Sequence, residues 1–361
     1  MTRRAALILA GGTARRFQTQ NSAWEDKALA ILAGKPLLIH AIERVKGLVD
    51  EVVVCVNDER RKEKYSQALR EQGLLGVCLV VDEKCGISGP TVAIMSGLKA
   101  VKTEFCLTLP CDMPFLEPKV AEVMFHEAEE FDVATPMWPN GRLETLLNVL
   151  RRDSAIEITQ TLCSLNHPRS DDIQRGAGKL LLISPVNHIR TLDPDLKSFI
   201  NINSKQDLKR LQTRRAHGLV TEDRRLSLGD LLVSDLHMLR DGTKMLAEGK
   251  FEEAQEAFAM CVCKFGCAGS FFWAGASGEK LGETLLKMSQ ELGGKVGAEL
   301  DLEGKEAFVE AANNYRIEAE MYEENSCRLL SERALADKDW CESWAMGKSA
   351  HPHRYPSKVG R

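Results

Sequence analysis

The chain has 361 residues, longer than one typical domain, and its 44% hydrophobic and 28% charged content is that of a globular protein able to bury a core rather than of a disordered chain. A formal net charge of −4 excludes a global basic field for nucleic acid, although a local phosphate site needs only a few cations. No stretch approaches the roughly eighteen consecutive apolar residues of a membrane span, and Met1-Thr2-Arg3-Arg4 runs into a strand-like segment without a signal-peptide cleavage site, so a cytoplasmic protein with no membrane partner is expected.

In chain order, residues 5–10 (AALILA) form a short continuous apolar run, as in a strand buried on both faces of a parallel sheet. A helix over 36–48 follows, with Pro36 placed to start it. Then come a strand over 51–58 (EVVVCVND), a charged helix over 59–72, a strand over 77–83 (VCLVVDE), a helix over 89–101 and a strand over 105–112 (FCLTLPCD). This alternation predicts an α/β fold, a doubly wound and mostly parallel sheet with right-handed crossovers. Ligands of such sheets bind at the carboxyl ends of the strands. Gly11-Gly12, Asn57-Asp58, Asp82 and Asp112 stand at four successive strand ends, which places a site there.

The rhythm changes after about residue 212. The change of pattern divides the chain into an α/β domain over 1–212, a charged linker over 213–228, an all-α domain over 229–340 and a disordered tail over 341–361. Gly249–Phe258 and Ala311–Tyr322 have small and aromatic residues at the spacing of tetratricopeptide helices, but no period of about 34 residues is evident, and a plain bundle is the alternative. The eleven cysteines lack framework spacing and read as reduced thiols. Cys261, Cys263 and Cys267 lack a nearby histidine and read as small residues on a helix rather than a zinc site.

Gly11 and Gly12 let the backbone approach a ligand with no Cβ in the way. Backbone N–H groups there can wrap a phosphate. Arg15 and Arg16 can supply charge-assisted hydrogen bonds, and Lys27 a mobile point charge. The loop matches neither G-x-x-x-x-G-K-[ST] nor G-x-G-x-x-G, so it is neither a Walker loop nor a dinucleotide fingerprint. Asp112, between Pro110 and Pro114, is a carboxylate at a strand end that can share Mg²⁺ with triphosphate oxygens. The bland alternative is a turn aspartate capping the next helix.

Four stretches recur in order over residues 5–212: LILAGGTARRF with EDKALAIL, GPTVAIMSGL (89–98), LTLPCDMPFL (107–116) and SFININSKQDL (198–208). Together they resemble the molybdenum cofactor guanylyltransferase branch of the nucleotidyltransferases that carry L-A-G-G-x-x-x-R…D-K-x-L. The resemblance implies a Rossmann-like nucleotide-diphosphosugar transferase fold. It implies transfer of GMP from GTP to a phosphorylated pterin, molybdopterin, with Mg²⁺ as cofactor and pyrophosphate as product. Carried over by position, Leu9, Ala10, Gly11 and Gly12 line the nucleotide site, and Asn57 and Asp82 sit near the nucleoside. Arg16, Lys27 and Asp112 act in catalysis, Asp112 as the metal ligand, and Asn201 and Asn203 lie by the acceptor phosphate. The segment Pro139–Asn148 falls where the family places its acceptor-side strand, so Arg142 is a candidate acceptor-phosphate ligand, the alternative being a solvated loop arginine, and the polar loop Pro168–Asp172 is a candidate border of the same cleft.

The chain departs from the pattern in three places. An insertion between Arg16 and Lys27 carries Trp24 and either covers the nucleotide or bulges into solvent. Gly89-Pro90-Thr91-Val92-Ala93 replaces G-P-L-A-G, and the C-terminal helices, a possible docking surface for a protein partner, lie outside the resemblance. The alternatives are cytidylyl transfer to molybdopterin, guanylyl transfer to cobinamide phosphate, a sugar-phosphate nucleotidyltransferase, or a nucleotide-sensing scaffold without turnover.

Overall fold

The computed structural model describes residues 3–12, 17–18, 25–209 and 221–347. The chain opens with β1 (Arg4–Leu9). A 3-10 turn at Lys27–Leu29 and a small ribbon of β2 (Ile31–Leu32) and β3 (Lys35–Pro36) lead into α1 (Leu37–Val45), for which Pro36 is the N-cap residue. There follow β4 (Glu51–Val56), α2 (Glu59–Glu71), β5 (Cys78–Val81), α3 (Pro90–Ala100), β6 (Phe105–Pro110), α4 (Pro118–Glu127) and β7 (Val133–Pro136). Then come β8 (Asn148–Arg151), α5 (Arg152–Ser164), α6 (Asp171–Arg175), β9 (Lys179–Ile183), α7 (Ile189–Leu192), α8 (Lys205–Lys209) and β10 (Arg224–Ser227).

Eight strands form one sheet in the order β10-β9-β7-β8-β6-β1-β4-β5. β1 is parallel to β4 and β6, β4 to β5, and β7 to β9, while β8 runs antiparallel to both β6 and β7. The expected doubly wound, mostly parallel sheet is therefore present. Its central strands are apolar throughout because both faces are covered. Ala6 and Ile8 join the core under α1 and α4, while Leu7 meets α3 on the opposite face. The close approach of α3 explains Gly97, where a Cβ would lie 2.7 Å from Cys55 Sγ.

From β1 the chain steps outward through β4 to β5 and then returns to place β6 on the other side of β1. That reversal opens a crevice at the carboxyl ends of β1 and β6, where Leu9 stands opposite Pro110.

The stretch 213–228 differs from the connector that its charge predicts. Arg224–Ser227 forms β10, with Leu226 and Leu228 buried, because one inward leucine suffices to seat a short charged edge strand. Residues 213–220 lie outside the described residues.

A second compact unit comprises Ser227–Arg361 with two short segments from earlier in the chain, Asn140–Arg142 and Arg175–Gly178. It contains α9 (Val233–Ala247), α10 (Phe251–Cys267), α11 (Phe271–Leu292), α12 (Gly294–Glu324) and α13 (Arg328–Ala345). The all-α expectation holds, and each helix packs on the next. Their lengths range from 15 to 31 residues. Residues 341–345, expected in the tail, continue α13, with Cys341 buried; residues 348–361 lie outside the described ones.

Within this unit Arg175 is fully buried. Its guanidinium grips Glu318 at 2.7 and 2.8 Å, reaches Asp337 at 2.6 Å and stands 4.5 Å over the Phe272 ring. All eleven cysteines are free, with Cys261 buried and Cys263 and Cys267 exposed on α10. Among the described residues no group of three metal-type ligands occurs, and no helix is long and apolar enough to cross a membrane.

Candidate active site

The site is assembled from strand ends. Where β1 stops, the Ala10 N–H donates to the Cys55 carbonyl at 3.0 Å, so the chain continues beside β4 for one more residue. A Cβ on Gly11 would lie 3.4 Å from Asn57 N and 3.8 Å from Asp82 Oδ2. Three strand ends thus crowd one point, and glycine leaves room there for a ligand.

Asp82 is half-buried, and the loss of water around it pushes its carboxyl up to about 6. Its Oδ1 is buried and has no hydrogen-bond partner among the described residues. A carboxylate so placed is held ready to accept N–H groups from outside the chain.

Asp112 follows β6 in a turn closed by the Met113 N–H on the Pro110 carbonyl at 3.1 Å. The Ile202 N–H donates to its carbonyl at 2.9 Å, drawing in the asparagine segment. Its Oδ2 receives the Lys27 ammonium at 2.5 Å, and its Oδ1 is buried with no hydrogen-bond partner among the described residues. Lys27 also donates to Asn203 Oδ1 at 3.1 Å. The Asn203 turn is held by Asp207, whose Oδ2 accepts the N–H groups of Asn203 and Ser204, each at 2.8 Å.

Lys27 owes its position to Asp26. Asp26 Oδ1 caps the 3-10 turn by accepting from Ala28 N at 3.1 Å, and it receives the Tyr65 hydroxyl at 2.8 Å. Arg61 Nε lies 3.6 Å from Asp26 Oδ2. The start of α3 supplies another wall. Gly89 has φ +153°, and a Cβ there would stand 2.6 Å from the Pro168 carbonyl oxygen. Thr91 Oγ1 donates to the Arg169 carbonyl at 2.8 Å, so the residue that departs from the family pattern anchors the helix. On the far side, Glu144 Oε1 accepts from Trp138 Nε1 at 2.7 Å, and buried Asn148 donates to the Thr145 carbonyl at 2.8 Å.

These walls enclose a cavity of about 670 Å³, within the roughly 300–1,000 Å³ range of small-molecule sites. Ten residues singled out in the sequence line it: Leu9, Ala10, Gly11, Gly12, Lys27, Asn57, Asp82, Asp112, Asn201 and Asn203. Asp58 instead caps α2, accepting from Arg61 N at 2.8 Å. Arg142 is not among the lining residues and belongs to the second compact unit, although Leu143–Leu147 after it do line the cavity. The loop Pro168–Asp172 supports α3 without lining the cavity, and Arg169 forks onto Asp171 at 2.9 and 2.8 Å. Arg15, Arg16 and Trp24 lie outside the described residues.

Sequence reasoning did not single out Arg61, Tyr65 or Glu144. A signal existed for the first two. In the charged helix ERRKEKYSQALRE, Arg61, Tyr65 and Leu69 recur every fourth residue, so the arginine shares the stripe of the two buried residues.

The model of the MobA-like NTP transferase domain matches residues 6–175. A probable molybdenum cofactor guanylyltransferase of Methanosarcina acetivorans is 30% identical over 207 residues, 57% of this chain and 88% of that protein. The molybdenum cofactor guanylyltransferase of Shewanella putrefaciens is 28% identical over 56% of this chain and 92% of its own length. A crystal structure of molybdopterin-guanine dinucleotide biosynthesis protein A from Archaeoglobus fulgidus is 25% identical, spans 57% of this chain and 95% of that one, and has a TM-score of 0.47. The matched region holds Lys27 and Asp112 and the three strand ends that crowd Gly11, and through it this chain belongs to the MobA-like nucleotidyltransferases, the family of the molybdenum cofactor guanylyltransferases, and is an enzyme.

Proposed function

We propose that this enzyme transfers GMP from GTP to the phosphate of molybdopterin and releases pyrophosphate with the help of Mg²⁺. The observation that carries the reading is the meeting of Lys27 and Asp112, 85 positions apart, at 2.5 Å in a cavity that Gly11 and Gly12 also line. A cation and a carboxylate beside a glycine turn suit a substrate with several phosphates. The names of the relatives support guanine as the base and molybdopterin as the acceptor.

In this reading the triphosphate lies along Gly11-Gly12, and Asn57 and Asp82 face the nucleoside. Lys27 spends two of the three N–H groups of its ammonium on Asp112 and Asn203. The third is available to a phosphate oxygen. Asn201 and Asn203 orient the acceptor phosphate, already an anionic nucleophile, for in-line attack at the α-phosphorus. No side-chain nucleophile is required. The buried Oδ1 of Asp112, without a hydrogen-bond partner among the described residues, fits a hard divalent cation, which it would hold together with the phosphates of the nucleotide. Mg²⁺ bound there supplies Lewis acidity to the phosphoryl oxygens.

Pyrophosphate release from GTP, CTP, UTP and ATP, with and without molybdopterin, tests the reading. Release is expected with GTP, only with the acceptor, and to fall about a thousandfold or more in Asp112→Ala. Release from CTP instead would make the enzyme a cytidylyltransferase. GTP binding without release in the presence of molybdopterin would overturn GTP and molybdopterin as the substrate pair.

A further inference from the structure

Helix α2 places Arg61 and Tyr65 one turn apart, on the side that meets the glycine turn. The Tyr65 hydroxyl is 2.8 Å from Asp26 Oδ1 and 3.3 Å from the Ala10 carbonyl. Its single proton goes to the charged oxygen, the stronger acceptor. Arg61 Nη1 donates to the Gly12 carbonyl at 3.1 Å and lies 3.5 Å from the Ala10 carbonyl, while Arg61 Nε faces Asp26 Oδ2 at 3.6 Å. Two side chains of one helix therefore hold both parts of the phosphate site, the Ala10–Gly12 turn and the Asp26-Lys27 pair.

The consequences are geometric. Asp26 Oδ1 takes the Tyr65 O–H and the Ala28 N–H while Oδ2 faces Arg61, so the residue before Lys27 is fixed about its side-chain torsions. Lys27 then leaves the turn in one direction, toward Asp112. In a trans peptide the carbonyl and the next N–H point oppositely, so an Ala10 carbonyl turned toward α2 directs the Gly11 N–H away from it.

We infer that Arg61 and Tyr65 are positioning residues for nucleotidyl transfer: acting through Asp26 and the carbonyls of Ala10 and Gly12, they set the spacing between the glycine turn and the Lys27 ammonium to that of a nucleoside triphosphate's phosphates. Neither residue is among those lining the cavity. The inference rests on the reading of Lys27 as a phosphate ligand.

The test measures Kd for GTP by calorimetry and kcat and KM for pyrophosphate release in the full chain. The variants are Tyr65→Phe, Arg61→Lys, Lys27→Ala and the double variant Tyr65→Phe/Lys27→Ala, with circular dichroism to verify folding. Tyr65→Phe is expected to weaken GTP binding about tenfold, the scale of a lost hydrogen bond to a charged group. Arg61→Lys, which keeps the charge and loses the fork, is expected to do the same. In the Lys27→Ala background the Tyr65→Phe effect should vanish, since a residue acting through the lysine has nothing left to position.

An equal loss in both backgrounds would mean a merely structural role and overturn the inference. If Lys27→Ala loses GTP while Tyr65→Phe and Arg61→Lys bind it normally, the proposed function survives and the positioning role fails. If Lys27→Ala itself binds and turns over GTP as the wild type does, the reading of Lys27 fails and the inference with it. Should Tyr65→Phe not fold, Arg61→Lys and the double variant Arg61→Lys/Lys27→Ala serve instead: the loss should shrink in the Lys27→Ala background to the part exerted through the Gly12 carbonyl, and an equal loss in both backgrounds overturns the inference.

Discussion

Asp82 is an acid held where its charge is costly. Burial raises its pKa from 3.8 to about 6. A carboxyl with a folded pKa above its unfolded value stabilises the fold when protonated, so that contribution is complete below about pH 4 and lost as the pH rises through about 6. At pH 7.5 the ionised side chain works against stability in the absence of nucleotide. Asp82→Asn, which keeps the shape and removes the charge, should raise the melting temperature at pH 7.5 by about 2 °C and leave it unchanged at pH 4. The same substitution should weaken GTP, and wild-type affinity for GTP should fall as the pH drops below about 6. Calorimetric scans and GTP titrations at the two pH values check both signs. Asp82, like Gly11 and Asp112, was legible in the sequence because it ends an apolar run. Asp26 was visible only as part of a motif, since its partners Arg61 and Tyr65 come from another element.

At the scale of elements, α3 shows how a site wall is set by backbone conformation. Gly89 sits at φ +153° with the Pro168 carbonyl oxygen 2.6 Å from where a Cβ would stand. Gly89→Ala must therefore strain its backbone or push α3 off the loop at Pro168, at a cost of about 2 kcal/mol or more. Urea unfolding should show that loss, and KM for GTP should rise, because Ser88, Gly89, Pro90 and Ala93 line the cavity. The stretch that forms α11 falls inside the all-α domain expected over 229–340. Its glycines lower helix propensity, yet Gly275, Gly278 and Gly282 let Tyr315, Ala311 and Phe308 of α12 approach so closely that a Cβ would lie 2.7, 3.1 and 2.7 Å away. Packing overrode propensity there. β10 escaped the sequence reading, since four residues with a single inward leucine resemble any charged connector.

For the whole molecule, the chain order does not match the compact units. A boundary at residue 212 separates Arg175 from Glu318 and Asp337, its partners within the helical unit. Arg175→Ala would remove the guanidinium that two buried carboxylates share. The expected loss is about 3–5 kcal/mol, read from urea unfolding of the full chain followed by helical circular dichroism. Removal of everything after residue 212 would strip β10 from the sheet and leave Arg175 without Glu318 and Asp337, so truncation is a poor probe of the catalytic half.

What the sequence determined by itself was local in origin. Apolar runs alternating with helical periods specified a doubly wound sheet, and in such a sheet the strand ends are the site, so Gly11, Asn57, Asp82 and Asp112 could be placed from their positions alone. The tertiary structure alone decided which distant groups meet: Lys27 with Asp112 and Asn203, Asp26 with Arg61 and Tyr65, Arg175 with Glu318 and Asp337. Charge pairing and close packing depend on side chains separated by tens to more than a hundred positions, and no periodicity along the chain encodes which of them will share a volume.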